Sequence, residues 1–301
     1  MAEPVRPARG TAPSQDPNVV YALGSSPGES ARLQRQADEL AADSAYLLDR
    51  AGLRPGQAAI DLGCGPRGIL DLLAGQVSPA GRVVGLDADP SHTAMAAEFA
   101  AGRGLSSVEI ITADASNTGL AASSFDLVHA RTLLINLPDP AGVAAEMRRL
   151  TRPGGWVASM EPDTEYVRCY PPHPAFGRLC EIFTVVFRRN GADPWIGRRV
   201  AHLFRQAGLD DVQAEARVQM YPPGNSRRTI RLDLVRSMRP QVLEMGLASA
   251  AELDELDTAA RAHLDDPHTV VIYGLLFLTW GRKPGLRTGM NPQTSQVPLQ
   301  Y

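Results

Sequence analysis

The sequence is poor in lysine and in cysteine. Lys283 is the only lysine among 30 basic residues, a bias that says little about mechanism. The three cysteines, Cys64, Cys169 and Cys180, form no C-x-x-C pair and have no histidine at zinc-ligand spacing. A chain of 301 residues with so few cysteines is also a poor candidate for a disulfide framework. We therefore expect no metal site and no structural disulfide.

The sequence also has no excess of positive charge and no long apolar run. Its net charge is −3 and its isoelectric point is about 6.1, whereas nucleic-acid-binding proteins usually carry a basic surface. The longest apolar stretch, residues 270–280, is shorter than the roughly 20 residues that span a bilayer. Residues 1–17 do not resemble a signal peptide. We expect a cytoplasmic monomer or homodimer that contacts neither nucleic acid nor membrane.

Strands and helices alternate along the middle of the chain. Residues 53–165 switch repeatedly between short apolar strands and helical patterns, which predicts a Rossmann-like, doubly wound α/β sheet. Residues 18–52 have helical spacing and are predicted to form an N-terminal helical segment. Residues 166–283 are expected to complete the core. Residues 1–17 and 284–301 are predicted to be disordered tails.

A glycine-rich turn, residues 63–68, follows the first predicted strand. Its spacing, Gly63-x-Gly65-x-x-Gly68, matches the G-x-G-x-x-G of dinucleotide-binding proteins, and Asp87 ends the next strand, where it can bind ribose hydroxyls. Asp61 argues against a dinucleotide, because its carboxylate would repel a pyrophosphate at the following helix N-terminus. A carboxylate there suits the ammonium and sulfonium groups of S-adenosylmethionine (SAM). A tight turn without a ligand is the structural alternative.

Five segments between residues 57 and 163 form an ordered set of motifs. They are Asp61-Leu62-Gly63-Cys64-Gly65, Gly85-Leu86-Asp87, Thr112-Ala113-Asp114-Ala115, Phe125-Asp126-Leu127-Val128 and Leu150-Thr151-Arg152-Pro153-Gly154-Gly155. In sequence and spacing they resemble the motifs of class I SAM-dependent methyltransferases, in particular the UbiE-like, small-molecule group. One position departs from the pattern: Arg67 stands where many members have a third glycine, and Gly68 follows one place later.

The resemblance implies SAM as the cofactor and a mostly parallel seven-stranded sheet with a reversed last strand, residues 269–280. It implies that residues 230–265 are an insertion that helps to cover the active site. In this family the second-motif acid holds the ribose, and the third-motif acid reads the adenine amino group. The stretch from Tyr21 to Gln36 also resembles a subgroup of these enzymes in which it caps the methionine end. The resemblance therefore implies that residues 18–52 form an N-terminal helical lid and that residues 166–283 carry substrate-cap insertions. The cofactor-binding residues expected from these assignments are Tyr21, Gln36, Asp61, Gly63, Cys64, Gly65, Asp87, Ala88, Asp114, Ala115 and Arg131.

The candidate catalytic residues follow the fifth predicted strand. Glu161 and Asp163 are expected at its carboxyl end, where open α/β sheets bind ligands. Either could take a proton from the methyl acceptor, and either could instead cap a following turn or face solvent. His173 is a further candidate base. No single strong base is required, because the sulfonium of SAM is already activated and positioning can supply much of the catalysis.

Aromatic residues cluster after the fifth strand. Tyr166, Tyr170 and Phe176 are candidates for the wall of an acceptor pocket. Phe183 and Phe187 lie at helical spacing, and such a stripe is more often part of the core. Phe183 could therefore line the pocket or pack inside, and the core is our expectation for both phenylalanines.

These patterns predict an enzyme that transfers a methyl group from SAM to an O, N or C nucleophile of a small molecule. A natural-product or secondary-metabolite intermediate is the expected acceptor. One alternative is a SAM-binding protein of the same fold that catalyses a non-methylating rearrangement. The other is an NAD-dependent oxidoreductase, which Asp61 and the lack of a Tyr-x-x-x-Lys pair disfavour.

Overall fold

The computed structural model describes residues 27–285, so Tyr21 and most of the two predicted tails lie outside it. Eight strands form one sheet in the order β3-β2-β1-β4-β5-β8-β6, with β7 paired to the other side of β8. The first five strands are parallel, and β8 runs antiparallel to β5. This confirms the doubly wound sheet and its reversed last strand. The strands are β1 Ala58–Leu62, β2 Arg82–Asp87, β3 Val108–Thr112, β4 Phe125–Arg131, β5 Thr151–Asp163, β6 Arg168–Tyr170, β7 Asp210–Met220 and β8 Val270–Arg282.

Ten helices surround the sheet in the described part of the chain. Two of them begin where an aspartate caps a Pro-initiated turn: Asp89 accepts a hydrogen bond from the N–H of Ser91, and Asp139 from that of Gly142. None of the described helices is long and apolar enough to cross a membrane. The helices are α1 Pro27–Glu39, α2 Ala41–Ala51, α3 Leu70–Val77, α4 Pro90–Gly102, α5 Pro140–Leu150, α6 Pro174–Arg189, α7 Val200–Gln206, α8 Ile230–Ser237, α9 Arg239–Glu244 and α10 Ala250–Asp265.

The central strands bury both of their faces. Ile60 on β1 is aligned with Val84 on β2 and Val128 on β4, and all three belong to one hydrophobic cluster. The residue before Ile60, Ala59, belongs to a second cluster, together with Leu127 of β4. Successive side chains of a strand point to opposite faces, so two clusters indicate helices packed on both sides of the sheet. Ligand access is therefore left to the ends of the strands.

The sheet has one strand more than the seven predicted: β6, a three-residue strand that sequence reasoning missed. β6 pairs with the first residues of β8, Val270, Val271 and Ile272, and β5 pairs with β8 from Leu275 onward. β8 is 13 residues long and thus has two successive partners along one edge. A three-residue strand such as β6 is too short to show a period-2 pattern.

The predicted N-terminal lid is divided into two parts with different surroundings. α1 borders a cavity, described below, through Leu33 and Gln36. α2 carries Leu47 and Leu48, which are fully buried in the core and cluster with Trp280 and other residues of the sheet. Gly52 ends α2 in the left-handed conformation (φ 65°). Only α1 is therefore placed to act as a lid, since α2 is an integral layer of the core.

Three helices, α8 to α10, form the predicted insertion between β7 and β8. The sequence predicts one break near Gly246, and the structure has a second at Met238, which ends α8 and precedes α9. Ser249 caps α10 by accepting a hydrogen bond from the N–H of Glu252. α10 and α8 pack against α6. Together these helices form a cap beside the carboxyl ends of the parallel strands.

Candidate functional site

A cavity of about 320 Å³ lies at the carboxyl ends of β1 to β4, with α1 and the cap on its other sides. Every predicted cofactor-binding residue lines it except Tyr21, which is outside the described residues. The structure thus brings together Gln36, Asp61, Gly63, Cys64, Gly65, Asp87, Ala88, Asp114, Ala115 and Arg131. These residues come from five separate segments. Four of the segments lie at the carboxyl ends of β1 to β4, which the parallel topology places at one edge of the sheet, and the fifth is α1, which contributes Gln36.

The glycine-rich turn follows β1 and requires glycine for steric reasons. Gly63 and Gly68 both have positive φ, 66° and 55°. A Cβ on Gly68 would lie 2.2 Å from Oδ2 of Asp61, and one on Gly63 would lie 2.7 Å from Leu133. Arg67, the departure from the family pattern, turns away to form ion pairs with Asp38 and Asp71. The later position of the third glycine is therefore compatible with a tight turn.

Asp61 shapes this turn from inside. Its Oδ2 accepts a hydrogen bond from the N–H of Ile69 at 3.0 Å, and its Oδ1 lies 2.7 Å from Nδ1 of the fully buried His129. The Asp61 side chain also borders the cavity while being only 2% exposed. It therefore combines a structural role with a buried carboxylate at the cavity floor.

Asp87 links the end of β2 to the same turn. Its Oδ2 accepts a hydrogen bond from the N–H of Gly65 at 2.8 Å, and its Oδ1 accepts one from the N–H of Asp89 at 2.9 Å. Nδ1 of His92 lies 3.6 Å from Oδ1. Burial opposes protonation of His92, but the Asp87 carboxylate more than compensates, so the pKa of His92 is raised. Sequence reasoning missed His92, which also lines the cavity.

The remaining predicted cofactor residues complete one side of the cavity. Asp114 follows β3, and its Oδ1 accepts hydrogen bonds from the N–H and the hydroxyl of Ser116. Arg131 donates to the carbonyl of Gly68 and to the hydroxyl of Ser44, so it braces the turn against α2. Burial lowers the pKa of Arg131 and raises that of the Cys64 thiol. We call the part of the cavity with Asp61, Asp87, Asp89 and Asp114 the acidic half.

The opposite side of the cavity is formed by β5, β7, β8, α6 and the cap, and we call it the apolar half. It is lined by Pro162, Thr164, Phe183, Phe187, Gln219, Arg227, Leu234, Tyr273 and Leu276. Phe183 and Phe187, expected in the core, are buried and line the cavity as well, with ring centroids 4.2 Å apart. Tyr166 and Tyr170, expected at the pocket, are 50% and 71% exposed and do not line it.

None of the three predicted catalytic residues lines the cavity. Asp163 is buried, accepts hydrogen bonds from the guanidinium of Arg198, and caps the next turn through the N–H of Glu165. His173 stacks on His263 at 4.7 Å between ring centroids. Both are engaged in the fold, so their geometry does not support a role as base.

Glu161 is the third of these residues, and its carboxylate points into the protein. It is fully buried and accepts hydrogen bonds from the backbone N–H groups of Leu133, Leu134 and Ile135 at 3.0, 2.9 and 3.2 Å. Glu161 thus caps a turn that precedes it in the chain, whereas the following turn, which was the expected alternative, is capped by Asp163. Leu133 and Ile135 border the cavity, so Glu161 positions a wall of the site through the backbone.

The burial of Glu161 makes stability depend on pH. Burial raises its pKa to about 8, from 4.5, against the opposing effect of the three amide donors. The folded state therefore holds a proton that the unfolded state loses above about pH 4.5, so stability falls as pH rises from about 4.5 to 8. We expect the loss to reach several kcal/mol.

This prediction is checked by urea unfolding at pH values across that window, with Glu161→Gln as the control. The amide has no proton to lose. As pH rises, the free energy of unfolding of Glu161→Gln should therefore increase relative to that of the unaltered protein. Parallel pH profiles for the two proteins would contradict the raised pKa.

The sequence of the core matches a known family. A family model described as a methyltransferase domain matches residues 60–159. The chain is 30% identical over 183 residues to a demethylmenaquinone methyltransferase of Geobacillus kaustophilus; the aligned region covers 56% of this chain and 77% of that protein. It is 42% identical over 117 residues to the nocamycin O-methyltransferase of Saccharothrix syringae; the aligned region covers 38% of this chain and 41% of that protein.

Other relatives are matched over only part of their length. The chain spans 52% of an uncharacterized 37.1 kDa protein in transposon TN4556 of Streptomyces fradiae, at 36% identity over 186 residues and 61% of this chain. It spans 41% of the nocamycin O-methyltransferase. The chain therefore spans about half the length of each of these two relatives.

Solved structures share the fold. The crystal structure of a putative methyltransferase from Bacillus halodurans C-125 has a TM-score of 0.56 at 18% identity, and the match covers 81% of this chain and 99% of that one. The [4+2]-cyclase SpnF has a TM-score of 0.51 at 19% identity, covering 84% and 83%. At these identities the likeness concerns the fold alone.

Proposed function

Since the chain belongs to the class I SAM-dependent methyltransferases, whose cofactor is SAM, we propose that it methylates a small, largely apolar molecule of the natural-product type. The observation that carries this proposal is the division of one cavity into an acidic half beside the glycine-rich turn and an apolar half under the cap. A cationic methyl donor suits the first half, and an apolar acceptor suits the second.

The acidic half fits SAM in its donor and acceptor chemistry. Asp87 stands at the end of β2 and can accept hydrogen bonds from ribose hydroxyls, as the second-motif acid does in this family. Asp114 is exposed at the cavity edge, where it can meet the adenine amino group. The backbone of Gly65 is open to a ligand, because a Cβ there would meet only Leu33, at 3.8 Å. Asp61 adds negative charge that favours the cationic amino-acid end.

Bound SAM supplies a methyl group on a positively charged sulfur, which is already activated for displacement. The chain's own contribution is to hold the acceptor in line with that methyl and to exclude water. α1 closes one side of the cavity with Leu33 and Gln36, and Gln36 donates a hydrogen bond to the hydroxyl of Thr132 at 3.4 Å. Phe183 and Phe187 form the apolar wall opposite. Proximity and desolvation are the proposed catalytic devices.

Cofactor choice is the first test of this proposal. We expect the purified chain to bind SAM and S-adenosylhomocysteine in titration calorimetry and to give no signal with NAD. The reason is that the pyrophosphate of NAD would lie near the N-terminus of α3, beside the buried Asp61 carboxylate. Tight binding of NAD without binding of SAM would refute the proposal. Incubation with methyl-labelled SAM and candidate acceptors, followed by mass spectrometry, then tests transfer itself.

A further inference from the structure

Arg231, on the cap helix α8, is a buried cation without a counter-ion. It is 1% exposed, and among residues 27–285 no hydrogen bond or ion pair reaches its guanidinium. Its Nε and Nη1 atoms are fully buried and lack partners. Arginine stays protonated in proteins, and an uncompensated buried charge is costly. The position therefore lacks a negative group that would balance it.

Its neighbour in sequence, Arg228, shows that this part of the fold can satisfy a buried guanidinium. Arg228 is 3% exposed and donates to the backbone carbonyls of Tyr221, Leu264, Asp266 and Thr269 at 2.7 to 3.1 Å. Arg228 thus holds the start of α8 against the end of α10 and the loop after it. Arg231 has no comparable structural task.

Arg231 lies directly behind the apolar half of the cavity. Its guanidinium carbon is 3.6 Å from the ring centroid of Phe183, whose side chain lines the cavity. A second arginine, Arg227, lines the cavity itself, is 4% exposed and has an unpartnered Nε. The guanidinium carbons of Arg227 and Arg231 lie 5.4 and 5.8 Å from the ring centroid of Tyr273, so both arginines flank this ring.

The charges around this half of the cavity do not cancel. Arg227 forms one ion pair, with Glu39 at 2.5 Å, and Arg231 forms none among the described residues. No described carboxylate lines the apolar half, since all four acidic lining residues belong to the acidic half. With Arg227 paired to Glu39, the net positive charge beside the apolar half is that of Arg231, which lies behind Phe183 in surroundings of low polarity, where electrostatic attraction is strong.

Building on the proposed function, we propose that the acceptor binds as an oxyanion on an apolar, ring-bearing skeleton: a carboxylate, a phenolate or an enolate. Arg227 faces its negative charge in the cavity, and Arg231 acts as a positioning residue that attracts the same charge from behind Phe183. A lone pair of the oxyanion forms the new bond to the methyl carbon. The carbon–sulfur bond of the donor breaks, and its electron pair stays on sulfur. No proton has to be removed in this step, which agrees with the lack of a described acidic side chain in the apolar half.

The test uses two pairs of bicyclic probes, titrated into the full chain saturated with S-adenosylhomocysteine. 2-Naphthoate is compared with 2-naphthamide, and 2-hydroxy-1,4-naphthoquinone, an acidic enol, with its methyl ether. We expect the anion of at least one pair to bind about tenfold or more tightly than its neutral partner. The pair with the greater preference distinguishes a carboxylic acid from an enol or phenol. Equal affinities in both pairs, or no binding by any probe, would overturn the proposal.

Two variants separate a charge effect from a structural one. Arg231→Met keeps an unbranched apolar chain against Phe183 and removes the charge. We expect it to reduce the preference for the anion by about tenfold and to raise the melting temperature of the ligand-free protein by about 2–4 °C, because an unpaired buried charge is lost. Arg228→Met, the matched control, should lower the melting temperature, because four carbonyls lose their donor.

The two hypotheses fail in different ways. A lower melting temperature and an unchanged anion preference in Arg231→Met would assign Arg231 a structural role and refute the inference. Binding of S-adenosylhomocysteine, measured in the same titrations before any probe is added, tests the proposed function independently. Its loss would refute the cofactor assignment, whereas intact cofactor binding without anion preference would refute only the acceptor class.

Discussion

Replacing Asp87 by alanine is expected to weaken SAM binding by about 10- to 100-fold. Hydrogen bonds from ribose hydroxyls to a carboxylate contribute about 1.5–3 kcal/mol, and each 1.4 kcal/mol corresponds to about tenfold in affinity. The structure adds a second reason, because the same carboxylate holds the N–H groups of Gly65 and Asp89. Loss of the ribose contact and loosening of the turn should act in the same direction.

Calorimetry with S-adenosylhomocysteine measures this effect. Two further variants serve as an intermediate case and as a control. Asp87→Asn retains an oxygen that can accept from Gly65 and should give an intermediate loss. Glu109→Ala removes a carboxylate from β3 that forms a half-exposed ion pair with Arg82 at 2.8 Å, and such surface pairs contribute little. The affinity of Glu109→Ala for S-adenosylhomocysteine should therefore be unchanged. A dissociation constant unaffected by Asp87→Ala would show that Asp87 does not bind the ribose.

At about pH 4.5, where Glu161 is protonated in the folded state, replacing it by alanine is expected to destabilise the protein by about 3 kcal/mol or more. Three backbone N–H groups, those of Leu133, Leu134 and Ile135, would lose their acceptor in a region closed to water. Each buried donor left without a partner costs about 1–3 kcal/mol. Because Leu133 and Ile135 border the cavity, we also expect weaker cofactor binding in whatever fraction of this variant folds.

Glu161→Gln tests the same residue without removing every acceptor. Its amide oxygen can still accept from the N–H groups of Leu133 and Leu134, so at about pH 4.5, where the unaltered Glu161 is neutral in the folded state, we expect a smaller loss of stability, about 1–2 kcal/mol. Turnover should stay within about tenfold of the unaltered protein, whereas loss of a general base typically costs about 10²–10⁴-fold. Urea unfolding and methyl transfer to an identified acceptor measure the two effects. A fall in turnover of 100-fold at unchanged stability would restore Glu161 as a catalytic residue.

The comparison of Glu161 with Asp87 shows where sequence reasoning succeeds. Both residues lie at the carboxyl-terminal part of an apolar strand, and in both cases the sequence predicts the strand; β5 extends past Glu161 to Asp163, further than predicted. A residue near a parallel strand end is then expected at the ligand-binding edge. What the sequence does not contain is the direction of the side chain at that position. The Asp87 side chain reaches the glycine-rich turn beside the cavity, whereas that of Glu161 turns toward the backbone of residues 133–135.

The apolar half of the cavity was the part least accessible to sequence reasoning. Its residues come from β5, β7, β8, α6, α8 and the turn before α8, which are far apart in the chain. Phe183 and Phe187 have the helical spacing of core residues, and the structure shows that such a stripe can pack in the core and border a cavity at once. The exposed positions of Tyr166 and Tyr170 follow from the short strand β6 and the turn before it. No local pattern predicts that strand.

The parallel sheet could be predicted from the sequence pattern, because alternating apolar strands and helices are local information. The reversed last strand and the cofactor-binding residues were expected from the resemblance to a family, whose motifs are short local segments. Tertiary packing, in contrast, sets which charges are compensated. Arg228 and Arg231 are three residues apart and look alike in sequence, yet Arg228 meets four carbonyls, whereas Arg231 has no hydrogen-bond partner among residues 27–285. Whether a buried charge has a partner depends on segments far away in the chain, and packing alone brings them together.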